Sequence, residues 1–382
     1  MQTPEITTVA IEARVGLLHR EMVKLAGLMV IVAAAFAGTA WVASLNRRMA
    51  VRDAAAWQQR GATQMASGDL DAAVASLRRA TVKNPSERRY ALELASALAR
   101  RRQFDEARRA LLLLREAAPE DREVNLQLAR LAVDRQDVTE ADRYFHNALY
   151  APWPADQGDA RRRVRLELVD VLLSHGQTRR AVSELLAISG DLAAASPAHV
   201  EVARRFGQAG DHRRALEQFQ RALEAAPTDG AAQAGAGLEA FQLGQYSTAL
   251  GYLRAAPAAA AGVGSTLQVV EFVVAGDSLA RRIGPAERRR RLIAGFAYAS
   301  DRYARCLGET EGAPGPTANA LQDEALAFEQ RLRPGQDRQE DTVEAGVILT
   351  GRLVDAASSR CPPANARDQA LSIIARQGSA PE

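Results

Sequence analysis

A chain of 382 residues is long enough for roughly two or three ordinary domains or one elongated repeat array. Alanine fills 78 positions and aromatics only 5%, a composition that packs closely spaced helices better than it fills sheets, so an all-α fold is expected. Forty-nine basic residues, all arginine except Lys24 and Lys83, stand against 46 acidic ones; the net charge of +3 is too small to mark a nucleic-acid binder. Two cysteines exclude a disulfide-dense scaffold and a four-thiolate zinc site.

The first element in chain order is apolar. Leu25 to Leu45, LAGLMVIVAAAFAGTAWVASL, carries no charge over 21 residues. As a helix it spans about 31 Å at roughly 1.5 Å per residue, enough to cross the hydrocarbon core. Trp41 lies near one end, where an indole favours the interface. We therefore expect a transmembrane helix over 24–46 behind a short tail, 1–23. The competing reading is a cleaved signal peptide; against it, the region before the apolar run is long and Glu5, Glu12 and Glu21 interrupt its positive charge. In the tail, Ile11, Val15, Leu18 and Met22 recur at helical spacing, which suits either a helix lying along the membrane surface or a short extension of the anchor. Basic residues flank the apolar run on both sides, Arg14, Arg20 and Lys24 before it and Arg47, Arg48, Arg52 and Arg60 after it, so the positive-inside rule does not orient it. A charged tail retained in the cytoplasm is the simpler insertion. The expectation is a single-pass inner-membrane protein with its main domain in the periplasm.

An internal repeat follows. Pro85 and Pro119 are 34 residues apart, and each closes a block of helical pattern, polar turn and second helical pattern. Ala54 to Glu87, AAAWQQRGATQMASGDLDAAVASLRRATVKNPSE, resembles a tetratricopeptide repeat, with Trp57 at repeat position 4, Gly61 at 8, Ala73 at 20, Ala80 at 27 and Pro85 at 32. Counting on by 34 reaches Ala95, Ala107 and Pro119, then Ala129, Ala141 and Ala148. The register slips by six residues around Pro152 to Pro154, then resumes with Val169, Ala181 and Ile188, with Ala203, Ala215, Ala222 and Pro227, and with Gly237, Ala249 and Ala256. Turns fall in step at Gly68-Asp69, Gln136-Asp137, Gly176-Gln177, Gly210-Asp211 and Gly244-Gln245. Six repeats are expected over 54–262, stacked as a right-handed superhelical solenoid.

These motif residues are steric. Small side chains at positions 8, 20 and 27 let antiparallel helices approach, while Phe104, Phe145, Phe219 and Tyr246 fill the gaps between hairpins. The resemblance implies protein or peptide binding in a concave groove lined by first-helix positions 2, 5, 9, 12 and 13. Here these include Gln58, Met65, Arg89, Leu92, Arg100, Leu126, Arg130, Asp134, Leu166, Asp170, Arg204 and Phe241. The family's carboxylate clamp, a Lys and an Asn at positions 5 and 9 of the first repeat, is replaced by Gln58 and Ala62. Arg130 and Arg204 suit acidic side chains or a carboxylate, and equally suit ordinary salt bridges within the repeats.

Beyond Val263 the period fades. The spacing predicts a helix over Thr266 to Arg282, a turn at Gly284-Pro285 and a partner helix over Ala286 to Leu307, a hairpin at 263–310 that caps the array. The arginine runs Arg161 to Arg163 and Arg288 to Arg291 suit anionic lipid, polysaccharide or an acidic partner, or else solvated helix faces. After a linker at Gly312, Pro314, Gly315 and Pro316, a helical extension over 318–378 is expected at Ala318 to Leu332, Thr342 to Arg360 and Ala366 to Arg376. Cys306 and Cys361 each end a predicted helix, with one antiparallel helix between them, so a disulfide is geometrically reasonable; two buried thiols are the alternative.

His19, His146, His175, His199 and His212 are dispersed, no HExxH or paired-Cys motif occurs, and no glycine-rich phosphate loop precedes a helix. No metal, cofactor or catalytic residue is therefore expected. The leading reading is a membrane-tethered adaptor that binds partner proteins, in envelope assembly or export; a structural subunit of a larger membrane complex is the alternative. A cryptic enzyme activity in the C-terminal extension is a remote third reading.

Overall fold

The structure, a computed structural model, describes residues 6–309, 316–332, 341–361 and 364–378. The linker at Gly312, Pro314 and Gly315 lies outside them, and so do the side chains of Ile11, Val15 and Leu18. The described residues hold α-helices and a 3-10 turn, with no strand among them. The chain divides into two compact units, Met1–Val164 and Arg165–Glu382.

In the first unit a long helix, α1 (Ile6–Ser67), is followed by α2 (Leu70–Lys83), α3 (Arg88–Arg100), α4 (Phe104–Ala117), α5 (Arg122–Asp134) and α6 (Val138–Tyr150). The division falls within α7 (Gly158–Ser174). The second unit continues with α8 (Thr178–Asp191), α9 (Ala198–Gln208), α10 (His212–Ala225), α11 (Gly230–Gln242) and α12 (Tyr246–Ala255). Then come α13 (Val263–Gly276), α14 (Pro285–Glu309), α15 (Pro316–Arg331), α16 (Asp341–Arg360) and α17 (Ala366–Gly378).

Each repeat hairpin turns the same way. At the end of the first helix one residue enters the left-handed region: Gly68 (φ 83°), Arg102 (63°), Gln136 (61°), Gly176 (70°), Gly210 (76°) and Gly244 (70°). Its N–H and the next one fold back on the helix's last carbonyls; Arg102 donates to the Ala99 carbonyl at 2.8 Å and Gln103 to that of Leu98 at 2.9 Å. This pairing satisfies carbonyls the helix cannot use itself. The following residue starts the second helix. Asp69, Asp137 and Asp211 accept the backbone N–H three residues on, at 3.1, 2.9 and 3.2 Å, whereas Gln103, Gln177 and Gln245 make no such cap.

Inside each hairpin the alanine at position 20 is fully buried: Ala73, Ala107, Ala141, Ala181, Ala215 and Ala249 all have 0% exposure. Position 24 carries the large core residue, Leu77, Leu111, Phe145, Leu185, Phe219 or Leu253, each buried. Position 8 must stay small where the facing side chain is close. A Cβ on Gly237 would lie 2.7 Å from the Leu253 side chain and 3.1 Å from its backbone nitrogen.

α1 runs without a break from the tail through the apolar stretch into the first helix of the first repeat, and is about 90 Å long at roughly 1.5 Å per residue. It contains the one helix long and apolar enough to cross a membrane among the described residues, and none of its most apolar window is buried by protein. Thr39 and Ser44 turn their hydroxyls onto their own helix's carbonyls, at Phe36 (2.9 Å) and Trp41 (2.7 Å), so the polar atoms of this stretch are satisfied without water.

At the other end the helices expected over 266–282 and 286–307 are α13 and α14, which share a core without being each other's main partners. α13 stops at Gly276, and its main partners are α17 and α12 rather than α14. The reason lies in a helix that is apolar on two sides: Val263 and Val270 enter the core of the last repeats, while Val269 and Val273 enter a second core. α14 packs chiefly on α16, and α16 on α17. Leu292, Phe296, Phe328, Leu353 and Ile374 share that second core, so residues 263–310 and 318–378, expected as a cap and a separate extension, are packed together. Asp368, buried beneath it, accepts from the Tyr298 hydroxyl (2.9 Å), Arg302 Nε (3.4 Å) and the Asn365 N–H (3.1 Å). Burial pushes the Tyr298 phenol up. Arg302 also donates to the Cys361 carbonyl at 2.9 Å. Beside this network Cys306 and Cys361 are joined as a disulfide, their Cα atoms 5.9 Å apart, linking the ends of α14 and α16.

Candidate protein-binding surface

The first helices of the repeats carry the twelve residues expected to line a groove. In the first unit Leu92 and Leu126 are 6% exposed, and in the second Leu166 is 2% exposed. These three are buried, so they offer a partner little surface. Their position borders the packed face, and an aliphatic side chain there gains about 25 cal/mol per Å² by leaving water.

Several polar members are engaged with the neighbouring repeat. Gln58 donates from Nε2 to both carboxylate oxygens of Glu93, at 3.0 and 2.8 Å, and Glu93 also accepts from Arg89 Nε at 2.9 Å. That hydrogen bond raises the Arg89 pKa above its ordinary value. Arg100 reaches back to the half-buried Met65, donating to its carbonyl at 3.2 Å and lying 3.8 Å from its sulfur. In the second unit Asp170 accepts a two-pronged contact from Arg205, Nε at 2.7 Å and Nη2 at 2.8 Å. Hydrogen bonding to Asp170 raises the Arg205 pKa, and Glu201 adds a second carboxylate at 3.2 Å.

These pairs share one geometry: Gln58 with Glu93, Met65 with Arg100 and Asp170 with Arg205 are each separated by 35 residues, the repeat length plus one. The spacing alone could have revealed Glu93 and Arg205 as partners, because it places them beside each other on successive first helices. Phe241 is half-buried, meets Tyr246 edge to face with ring centroids 5.8 Å apart, and packs on both cores of the second unit. Arg130, Asp134 and Arg204 remain exposed to solvent. The first-helix surface of each unit is thus polar and already linked across repeats, through Gln58–Glu93 and Met65–Arg100 in the first and through Asp170–Arg205 in the second.

The arginine runs are more engaged than solvated faces would be. Arg162 pairs with Asp159 at 2.9 Å, Arg289 donates to the Leu332 carbonyl at 2.7 Å, and Arg291 donates to those of Val274 and Asp277 at 3.0 and 3.1 Å. Among the described residues, no group of three or more His, Cys, Asp or Glu side chains is placed to hold a metal ion.

The tetratricopeptide-repeat family profile matches residues 53–122 and 201–263, the stretches that contain α2, α3 and α4 and α10, α11 and α12. The chain carries tetratricopeptide repeats. Its remaining hairpins, α5–α6 and α7–α8, keep the buried position-20 alanine and the left-handed turn of the matched repeats. Among solved structures, one similar protein is YrrB, described as a tetratricopeptide-repeat protein with an unusual peptide-binding site; it is 18% identical over 47% of this chain and 89% of its own, with a TM-score of 0.36. A tetratricopeptide-repeat protein from Parabacteroides merdae is 12% identical over 78% of this chain and 99% of its own, with a TM-score of 0.38. The tetratricopeptide-repeat domain of P58(IPK) is 14% identical over 85% of this chain and 97% of its own, with a TM-score of 0.27. No curated protein matches the chain in sequence.

Proposed function

We propose that this chain is a membrane-tethered scaffold, without enzymatic activity, that gathers partner proteins or peptides on the first-helix surfaces of its repeats, in envelope assembly or export. The observation that carries the reading is the unbroken α1. The same helix is a bare apolar rod over Leu25–Leu45 and a packed repeat helix a few turns later. Exposed Leu28, Met29, Ile31, Phe36 and Trp41 have no place in water, and burying them in lipid needs no other part of the chain. Helical continuity then holds the first repeat close to the bilayer in one rotational phase. The Cys306–Cys361 bridge suits an oxidising compartment, which supports an inner-membrane anchor with the repeats in the periplasm. Exposed Arg130 and Arg204 would take acidic groups of the partner.

The test combines two measurements on cells expressing the full chain. Membranes are washed with alkaline carbonate, and thiols are labelled after acid quenching with and without reductant. Retention in the washed membrane and labelling only after reduction are expected. Release by the wash sinks the anchor, and labelling without reductant moves the repeats to the cytoplasm. Photo-crosslinkers placed at positions 130 and 204 should each trap a protein partner; adducts identical to those from crosslinkers on the buried side of the same helices would remove the first-helix surface as the binding face.

A further inference from the structure

The Arg288–Arg291 run borders an open cleft of about 340 Å³ lined by residues of α13, α14 and α17. Phe272, Leu371 and small residues form its apolar lining, and Arg290, Arg291, Arg367 and Glu287 supply its charges. Two of the guanidiniums are fixed in advance. Arg291 is held by the Val274 and Asp277 carbonyls, and Arg367 lies 4.1 Å over the Tyr298 ring while donating to the Ala294 carbonyl at 3.3 Å. A guanidinium has five N–H donors, so each keeps donors beyond those contacts. Glu287 pairs with Arg291 at 2.7 Å and Arg290 at 2.5 Å, and those hydrogen bonds hold its carboxyl below the usual carboxylate range. Three arginines against one glutamate leave the lining net positive. The positive region also extends past the cleft, since residues 277–291 hold six arginines against Asp277 and Glu287. Phe272 is 44% exposed at the edge of this charge.

We propose that the cleft is a second protein-binding site, outside the repeats, for an acidic peptide segment that carries an apolar anchor side chain. The apolar lining and Phe272 take the anchor, while Arg290, Arg291 and Arg367 take flanking carboxylates. Positive charge beyond the cleft fits several carboxylates rather than one. A flat bilayer surface does not enter a concavity of this size, and among the described residues Phe272 is the one aromatic in its lining, too few for successive nucleic-acid bases.

The test uses full-length protein in nanodiscs of zwitterionic lipid, with fluorescence anisotropy of an end-capped, labelled hexapeptide in which each leucine is followed by two glutamates. A second peptide replaces every glutamate with glutamine. The acidic peptide is expected to bind, and the glutamine peptide to bind about tenfold more weakly or worse, the scale of losing charge-assisted hydrogen bonds. Arg290→Glu, at a side chain 77% exposed and so removable without loss of the fold, is expected to weaken the acidic peptide by a similar factor. Phe272→Ser is expected to weaken it as well. Arg130→Glu and Arg204→Glu should leave its affinity unchanged, which separates this site from the first-helix surface. Absence of binding, equal binding of both peptides, or indifference to Arg290→Glu and Phe272→Ser overturns the proposal. So does an Arg290-dependent association with phosphatidylglycerol vesicles when neither peptide binds.

Discussion

The repeats and the C-terminal helices are both all-α, yet they close over different sequence distances. In the repeats, the turn hydrogen bonds span five residues and the cross-repeat pairs 35. From α13 onward, the disulfide spans 55 residues, Arg302 to Asp368 spans 66 and Tyr298 to Asp368 spans 70. Contacts with a fixed short period make each hairpin's stability a matter for itself and its neighbours. A bundle closed by distant contacts is lost or kept together, because ordering any one helix requires the others. Damage of similar chemical size should therefore stay local in the repeats and spread in the bundle.

The largest effect should come from Asp368→Ala. It strips a fully buried carboxylate from Arg302, the Tyr298 hydroxyl and the Asn365 N–H, and breaking a buried pair of this kind costs about 3–5 kcal/mol. Hydrogen exchange should accelerate together across α14, α16 and α17 while α5 and α6 keep their protection. Acceleration confined to the first turn of α17 would show that the bundle is not cooperative. Next comes reduction of Cys306–Cys361. Opening a 55-residue loop removes at most about 4 kcal/mol by chain entropy, and only from the bundle. Calorimetry with and without reductant should lower one transition and leave the repeat transition in place; an equal shift in both would erase the contrast between the regions.

A lesion inside the array should be smaller and contained. Gly237→Val drives a branched side chain into Leu253, where even a Cβ would lie 2.7 Å from the side chain, and overpacking of this kind costs about 1–3 kcal/mol. Exchange should rise in α11 and α12 and hold steady in α14; loss of protection in α14 would contradict nearest-neighbour behaviour. Smaller again, and opposite in sign, is Arg102→Gly. Arg102 occupies φ 63° with a Cβ, a conformation that costs an L-residue about 1–2 kcal/mol, and greater freedom in the unfolded chain returns part of that gain. A net rise in stability of about 1 kcal/mol or less is expected from urea denaturation, whereas Gly176→Ala, the reverse exchange at the equivalent turn, should lower it.

The same contrast governs what could be read in advance. Alanines at position 20, small residues at position 8 and turns at a fixed offset announce the hairpins, because each residue's environment repeats with the chain. Arg102-Gln103 carries neither the glycine nor the aspartate that marks the other turns, although counting from Gly68 by 34 reaches it. The first-helix surface was only partly legible: family positions named Leu92, Leu126 and Leu166, but their burial depends on how closely the helices pack. The pairing of α13 with α17 had no local signal at all. Val269 and Val273 show that the helix has a second apolar side, and nothing in the spacing says which distant helix covers it.

The smallest effect tests whether the hairpins are as equivalent as their turns suggest. Asp69, Asp137 and Asp211 cap the second helix of the first, third and fifth repeats, while Gln103, Gln177 and Gln245 occupy the same place in the other three without capping. The turn geometry is nevertheless the same: Gln177 donates to the Leu172 carbonyl at 2.8 Å as Asp137 does to that of Ala132 at 2.9 Å. Gln177 already accepts from Arg180 through its side chain, and in the fifth repeat Asp211 takes both the backbone and the side chain of the equivalent Arg214. Gln177→Asp should therefore add the missing cap and keep the arginine contact, for a gain of about 0.5–1 kcal/mol. The reciprocal Asp211→Gln should lose a similar amount, since the same cap is removed from an otherwise matching hairpin. Unequal and same-signed changes in the two urea midpoints would mean that neighbouring repeats, rather than the turn itself, set the worth of each cap.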